Sequence, residues 1–263
     1  MNHAGVGQWG DLGQRLISGG LFAAAGIFAM WLGGHVFHLF VAAICGIMVW
    51  EIARMVGAAG AAIPLGLLAG VACLVLVTSP IGYTLPLVFA PALVGIARLD
   101  RHRVTYALYS SAVLMAGFGL VHLRDDFGFA WMVWLALIVI ASDVLGYFAG
   151  RTFGGPKFWP RVSPKKTWSG TLAGWAGAAV IGGYFAWQGI AGGEIVGISV
   201  AIAIAGQFGD IAESALKRRM GVKDSSSILP GHGGMFDRFD AMMGAALFLL
   251  LVEQIIDFPP VPV

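Results

Sequence analysis

Long apolar runs, separated by short polar segments, follow one another along the whole chain. A helix needs about 20 mostly apolar residues to cross the hydrocarbon core of a bilayer. Nine runs approach that length, and they cover residues 15–33, 36–57, 61–78, 80–98, 105–122, 130–149, 170–189, 194–214 and 240–257. The pattern predicts an all-α, polytopic integral membrane protein with about nine transmembrane helices.

The composition excludes an ordinary water-soluble fold. Hydrophobic residues make up 58% of the chain, charged residues 11%, and the mean hydropathy is +0.83. A soluble domain is about 45–50% apolar and about 25% charged. Nine spans would use roughly 180 residues, which leaves too few contiguous residues for a separate soluble domain. Residues 1–263 are therefore predicted to form a single transmembrane domain that acts in or beside the bilayer.

The basic residues indicate which loops face the cytoplasm. On the nine-helix map, all sixteen Lys and Arg residues except Arg124 fall on one side of the membrane. Short cytoplasmic loops retain Lys and Arg. The N-terminus and the long loops are therefore predicted to be cytoplasmic, in a multi-pass protein of the inner (cytoplasmic) membrane. Their cationic surface is suited to anionic lipid or phosphate.

Residues able to do chemistry concentrate in the second half. Two cytoplasmic segments, 150–169 and 215–239, combine ten basic residues with glycine, proline, serine and carboxylates. Residues 1–129 have no comparable cluster and are interpreted as scaffold helices. Residues 130–245 are interpreted as the catalytic helices and cytoplasmic loops.

One face of the eighth run carries charges at helical spacing. Asp210, Glu213 or Ser214, and Lys217 recur at i, i+3 or i+4, and i+7. A continuous helix over 194–220 would be about 40 Å long, which exceeds the ~30 Å hydrocarbon core. Asp210 is therefore expected near the cytoplasmic boundary. An interfacial helix end with intrahelical ion pairs is the alternative interpretation.

A glycine-rich loop follows and leads into the ninth run at Asp237 and Asp240. The glycines within 231–234 permit conformations in which backbone N–H groups converge on an anion. Carboxylates at a helix N-terminus are favourable through the dipole alone. Two of them beside a glycine loop and basic residues further suggest a divalent metal held by Asp oxygens and substrate phosphates, as Mg²⁺ prefers. His232 either binds a phosphate or shapes the turn.

The sixth run contains an ionisable residue inside an apolar span. Asp143 lies two turns from its cytoplasmic end, and an ionisable residue at such a depth is usually functional. Asp143, Tyr147 and Arg151 lie near one helical face. The Ser163–Thr167 segment that follows offers hydroxyl and ammonium groups to phosphate oxygens.

The segment from Ser214 to Asp240 resembles the signature of the phosphatidate cytidylyltransferases, or CDP-diacylglycerol synthases, S-x-x-K-R-x4-K-D-x-[GSA]-x2-L-P-x-H-G-G-x-x-D-R-x-D. The matching positions are Ser214, Lys217, Arg218, Lys223, Asp224, Ser226, Leu229, Pro230, His232, Gly233, Gly234, Asp237, Arg238 and Asp240. Asp143 to Thr167 looks like the second conserved region of the family. The length and nine-span layout are similar to those of bacterial members. Ser169 stands where the family usually has Glu, and Ala241 where Ser is common.

The resemblance implies that CTP and phosphatidic acid give CDP-diacylglycerol and pyrophosphate, a step of phospholipid biosynthesis. On this hypothesis the cofactor is Mg²⁺, with a second cation left open. The residues expected to be catalytic are Asp210, Asp237, Lys217 and Lys166. The metal ligands are expected among Asp143, Asp210, Asp224, Asp237 and Asp240. The substrate contacts are expected from Arg151, Ser163, Lys165, Thr167, Ser214, Arg218, Lys223, Gly231, His232, Gly233, Gly234 and Arg238.

Two other functions stay open. A CTP-dependent transferase of the same superfamily could act on another lipid phosphate or on a polyprenol. An ion-coupled transporter could use Asp143, Asp210 and Glu213 as a relay, although the polar residues cluster on one face of the membrane and not at mid-depth. The expected partners are CTP, phosphatidic acid and the lipid bilayer, without nucleic acid. Assembly as a homodimer stays open.

Overall fold

A computed structural model describes residues 7–229, 231 and 233–260, without the side chains of residues 7–18 and 81. Within this part of the chain, helices account for nearly all of the regular structure. They are α1 (Gly7–Leu32), α2 (Gly34–Met55), α3 (Ala59–Thr78), α4 (Ile81–Thr84), α5 (Ala90–Arg98), α6 (Arg103–His122), α7 (Phe129–Phe153), α8 (Trp168–Trp187), α9 (Ile195–Met220) and α10 (Phe236–Val252). Strands β1 (Lys157–Trp159) and β2 (Ser163–Thr167) form an antiparallel hairpin.

Each of the nine apolar runs contains helix. Among the described residues, five helical segments are long and apolar enough to cross a bilayer: Gly34–Met55, Ala59–Thr78, Arg103–Phe127, Phe129–Phe153 and Ile195–Met220. The third consists of α6 and the π-helical turn Leu123–Phe127 that continues it. The chain is therefore a nearly all-α, multi-pass membrane protein.

The run 80–98 departs from a single helix. It consists of α4, a 3₁₀ turn at Leu85–Phe89, and α5. Pro86 and Pro91 stand near the starts of the latter two. Proline has no backbone N–H, and its ring clashes with the preceding helical turn. The apolar run therefore breaks at each proline.

The described chain packs as two units. The first contains α1 to α5, α6 as far as Ser111, and Val222–Arg238; the second contains Ala112–Gly221 and the residues from Phe239 onward. The glycine-rich loop of the signature thus belongs to the same unit as α2. The division into scaffold (1–129) and catalytic (130–245) residues concerns function and stays a prediction.

Glycines bring helix backbones into direct contact within each unit. In the first unit, a Cβ added to Gly46 of α2 would lie 2.9 Å from the Gly66 carbonyl oxygen of α3. In the second unit, Gly170 of α8 touches Gly146 of α7, and Gly209 of α9 touches α10. Small residues allow membrane helices to approach this closely. In the second unit, this packing brings polar side chains from different helices together.

Candidate active site

A cavity of about 500 Å³ opens in the second unit among α7, β2, α8 and α9. Asp143, Tyr147 and Arg151 line it from α7, Lys165–Thr167 from β2, and Asp210 from α9. The three α7 residues share one helical face, as their spacing predicts. The cavity therefore brings together charged residues of the sixth run, the Ser163–Thr167 segment and the eighth run.

Lys166 and Asp210 form an ion pair at this cavity. The Lys166 Nζ lies 2.6 Å from the Asp210 Oδ2 and donates to the Gln207 carbonyl oxygen at 3.3 Å. The Ser214 hydroxyl donates to the Asp210 Oδ1 at 3.3 Å. The side chains of Lys166 and Asp210 are 22% and 28% exposed, so a ligand in the cavity can reach both.

Three carboxylates gather where α9 meets α10. One oxygen each from Asp210, Glu213 and Asp240 lies within 4.8 Å of the others. The Lys217 Nζ lies 2.7 Å from the Glu213 Oε2, and Glu213 is buried. Mg²⁺ takes hard oxygen ligands of this kind, so this acidic cluster has the donors to hold a divalent cation between two lysines.

Backbone contact between α9 and α10 positions Asp240 in the acidic cluster. A Cβ on Gly209 would overlap the Asp240 carbonyl oxygen and would lie 3.0 Å from the Gly244 backbone nitrogen. Asp143 lines the same cavity as Asp210, which belongs to the acidic cluster with Asp240. Of the five predicted metal ligands, Asp143, Asp210 and Asp240 therefore lie in one neighbourhood.

The hairpin presents the basic residues of the second conserved region. Thr167 pairs with Lys157, and Ser163 pairs with Trp159. Thr167 caps α8, because its Oγ1 accepts from the Gly170 N–H at 3.3 Å. In this strand Lys165 is exposed and Lys166 is half-buried toward α9. The segment Ser163–Thr167, predicted as part of a cytoplasmic loop, is thus a β-strand beside the cavity.

Two residues near the hairpin, Ser169 and Gln207, make hydrogen bonds that were not predicted from the sequence. Ser169, at the position where the family resemblance implies Glu, donates to the Gly154 carbonyl oxygen at 2.5 Å. The Gln207 Nε2 donates to the Ser142 hydroxyl at 3.2 Å, and its Oε1 accepts from the Trp175 indole at 3.0 Å. Gln207, which lines the cavity, therefore links α7, α8 and α9. As an uncharged residue in an apolar run, it had no sequence signal.

The signature loop of the first unit, residues 222–236, is organised by two carboxylates. One is Asp237, the second residue of α10. Its Oδ2 accepts from the Ser225 N–H at 2.9 Å, from the Ser225 hydroxyl at 2.9 Å and from the Gly234 N–H at 2.7 Å. The Gly234 N–H, predicted as a phosphate donor, is thus used within the loop.

The second carboxylate is Glu51 of α2. Its place late in the second apolar run predicts a residue that reaches the cytoplasmic interface near Arg54, and the structure shows it fully buried instead. It accepts from the backbone N–H groups of Met235 and Phe236 at 2.9 and 2.7 Å. It also accepts from the hydroxyls of Ser225 and Ser226 at 3.2 and 2.5 Å. The available signal was an ionisable residue inside an apolar span.

The other predicted residues lie on exposed surface or in turns. Arg218 is exposed in the last turn of α9. In the first unit, Lys223, Asp224 and Arg238 are exposed. Gly231 and Gly233 have φ values of 75° and 82°, which favour glycine. His232 lies outside the described residues. Asp224 and Asp237 belong to the first unit and are described there, apart from the acidic cluster.

Comparison with known proteins identifies the family to which the chain is similar. The chain matches the cytidylyltransferase family over residues 13–256. A phosphatidate cytidylyltransferase of Brucella suis is 42% identical over 161 residues, which are 58% of this chain and 59% of the relative. The corresponding protein of Helicobacter pylori is 43% identical over 134 residues, 50% of each chain. That of Bacillus subtilis is 38% identical over 128 residues, 48% of each chain.

These matches differ in their extent. The chain spans about three-fifths of the length of the Brucella relative and about half that of the other two. The family match, by contrast, runs from α1 to the residues after α10 and includes both the acidic cluster and the signature loop. The chain therefore belongs to the cytidylyltransferase family.

Proposed function

We propose that the chain is a phosphatidate cytidylyltransferase, which transfers CMP from CTP to phosphatidic acid and releases pyrophosphate. The observation that carries this proposal is the acidic cluster of Asp210, Glu213 and Asp240, with Lys166 and Lys217 paired to it. A site with both carboxylates and ammonium groups suits a reaction between two polyanions. The names of the relatives support the choice of substrates.

The proposed step is an in-line displacement at phosphorus. A phosphate oxygen of phosphatidic acid attacks the α-phosphorus of CTP, and a new P–O bond forms. The bond from the α-phosphorus to the oxygen bridging to the β-phosphate breaks, and pyrophosphate leaves with that electron pair. The attacking oxygen already carries negative charge, so the reaction needs no serine or cysteine nucleophile. Positioning and charge neutralisation supply most of the catalysis.

The acidic cluster would hold Mg²⁺ through Asp210, Glu213 and Asp240, with Asp143 beside them. Its oxygens lie within 4.8 Å of one another, which suits a shared cation. When bound, the ion would neutralise phosphate charge and polarise the reacting phosphoryl group. Glu213 is added here to the predicted ligands because it is buried beside Asp210.

The basic residues of the second unit are proposed to bind substrate phosphates. Lys166 and Lys217 lie next to the carboxylates and would hold phosphate oxygens close to the cation. Arg151 and Lys165 line the cavity and would neutralise the remaining phosphate charge. Because a lysine paired to a carboxylate keeps spare N–H donors, it can contact substrate without losing its partner.

The first unit is proposed to contribute phosphate binding of its own. Lys223 is exposed near the start of the signature loop, and Arg238 is exposed in the first turn of α10. Gly231 and Gly233 have backbone conformations suited to an anion-binding turn. The role of His232 stays a prediction from the family signature.

We also propose nine membrane spans, with the N-terminus and the active site on the cytoplasmic side of the inner membrane. Helix in every one of the nine apolar runs supports the number of spans. The one-sided distribution of Lys and Arg supports the orientation. The access of a soluble nucleotide such as CTP also requires a site that faces the cytoplasm.

The purified protein, given CTP labelled at the α-phosphate, tests the function. Phosphatidic acid should yield a labelled lipid that migrates as CDP-diacylglycerol, whereas label at the γ-phosphate should appear only in pyrophosphate. A polyprenyl phosphate and a polyprenol serve as competing acceptors. Transfer to either of these but not to phosphatidic acid would contradict the substrate assignment. Membership of the family favours an enzyme over a transporter, and CTP-independent uptake into sealed vesicles without lipid labelling would reverse that preference.

A further inference from the structure

Glu51 stands apart from the other carboxylates because every hydrogen-bond partner described above lies in the signature loop. Its four donors come from Ser225, Ser226, Met235 and Phe236. These residues lie 174 to 185 positions away in sequence. The contact therefore joins an apolar helix early in the chain to the segment that carries the family signature.

The burial of Glu51 requires this set of donors. Its exposed fraction is 0%, and a carboxylate removed from water is costly unless hydrogen bonds replace its hydration. Two backbone N–H groups and two hydroxyls supply those bonds. A residue needed only to end α2 at the interface would remain in contact with water. The local structure thus indicates that Glu51 is placed to hold the loop.

The Ser225 hydroxyl connects Glu51 to Asp237. It lies 3.2 Å from the Glu51 Oε2 and 2.9 Å from the Asp237 Oδ2. One hydroxyl proton is thus shared between two carboxylates. Movement of the Glu51 carboxylate would therefore disturb Ser225 and, through it, the side chain of Asp237.

Close packing in the loop explains the glycine at position 234. A Cβ at Gly234 would overlap both the Ser225 hydroxyl and the Glu51 carboxylate. Any side chain there would displace the loop from Glu51. Glycine is therefore needed at position 234 of the signature, so that the backbone of the loop can approach the Glu51 carboxylate.

We propose that Glu51 is a positioning residue for the cytidylyltransferase reaction. It fixes the backbone of residues 225–236 and, through Ser225, the orientation of Asp237, without touching substrate. The inference rests on the proposed function, because it assumes that this loop takes part in nucleotide transfer. It assigns a role to a helix that the sequence predicts to be scaffold.

The test compares Glu51→Gln and Glu51→Asp with the wild type in purified full-length protein. In Glu51→Gln an NH₂ group replaces one acceptor and faces groups that are themselves donors. Because a shift of about 1 Å can cost about 100-fold in rate, we expect kcat to fall by about that factor. Glu51→Asp keeps both carboxylate oxygens and should recover part of the lost kcat.

Glu253→Gln is the matched control. The side chain of Glu253 is 8% exposed, and its carboxylate pairs with His122 at 2.9 Å in the second unit. Its replacement removes a mostly buried charge without altering the loop. Wild-type kcat in Glu253→Gln, beside a large loss in Glu51→Gln at equal folded fraction, supports positioning. Wild-type kcat in folded Glu51→Gln, or a loss that Glu51→Asp does not reduce, overturns it.

Amide hydrogen exchange gives a readout that does not depend on activity. Peptides covering 225–236 should exchange faster in Glu51→Gln than in the wild type, and should be unchanged in Glu253→Gln. If the wild type transfers nothing from CTP but Glu51→Gln still accelerates exchange in this loop, the proposed function fails and the structural role of Glu51 stands. Unchanged exchange in Glu51→Gln overturns the inference whatever the activity.

Discussion

Replacement of Gly209 by alanine is expected to separate α9 from α10 at the acidic cluster. A Cβ at this position would overlap the Asp240 carbonyl oxygen. It would also lie 3.0 and 3.1 Å from the backbone nitrogen and Cα of Gly244. All these neighbours are backbone atoms, so no rotation of a side chain can relieve the overlap. One helix must move.

The size of that movement sets the expected loss of activity. To restore ordinary contact distances, the Asp240 backbone must shift by about 1 Å. Asp240 would then move away from Asp210 and Glu213, which share an oxygen cluster only 4.8 Å across. A misplacement of about 1 Å can cost about 100-fold in rate. We therefore expect kcat of Gly209→Ala to fall by about 100-fold, with a loss of about 1–3 kcal/mol in unfolding free energy from overpacking.

Two other glycines of α9 provide a graded control. A Cβ at Gly206 would lie 3.2 Å from the Ala241 carbonyl oxygen, whereas a Cβ at Gly197 would meet nothing within 4 Å. Transfer of label from CTP to phosphatidic acid is measured for all three alanine variants at equal folded fraction. The expected loss is largest for Gly209→Ala, smaller for Gly206→Ala and absent for Gly197→Ala. Equal kcat in all three would refute the idea that helix contact positions Asp240.

Further predictions concern charges at the site. Asp210→Asn should lower kcat by about 100- to 1,000-fold, and a loss below tenfold in labelled-lipid assays would argue against a central role. Lys166→Ala should raise the KM for CTP while costing about 1 kcal/mol or less in thermal unfolding, because its ion pair is partly exposed; an unchanged KM would count against phosphate binding. Asp237→Asn should abolish CTP-dependent turnover while the protein stays folded in detergent. Near wild-type rates would reject the catalytic role that the sequence predicts for Asp237. EDTA should stop the reaction and Mg²⁺ should restore it; turnover that persists in EDTA would exclude a dissociable cation.

The length of the apolar runs predicted the helices. A segment inside lipid must satisfy its backbone hydrogen bonds internally, and a helix does so within one run. The sequence pattern also predicted the unbroken helix that ends at Met220, with Asp210, Ser214 and Lys217 on one face. It did not predict the breaks at Pro86 and Pro91, because the hydropathy of a run does not depend on whether its backbone N–H groups are hydrogen-bonded.

Only part of the candidate site could be predicted from the sequence, and the reason is physical. Asp143, Asp210 and Lys166 could be selected because charge inside or beside an apolar run is costly and local in sequence. The partners of Glu51 are distant in sequence, so its burial could not be recognised from its neighbours. Glu213 was seen on the correct face, but its pairing with Lys217 also fitted an ordinary ion pair on a helix.

Binding of Mn²⁺, followed by electron paramagnetic resonance as a substitute for Mg²⁺, tests most directly whether the acidic cluster is a cation site. The wild type should bind the ion in detergent, and Asp240→Asn should weaken that binding at least about tenfold, as loss of a ligand implies. Asp100→Asn, at an exposed position in the first unit, is the matched control and should bind as the wild type does. Equal affinity in the wild type and Asp240→Asn would contradict the account.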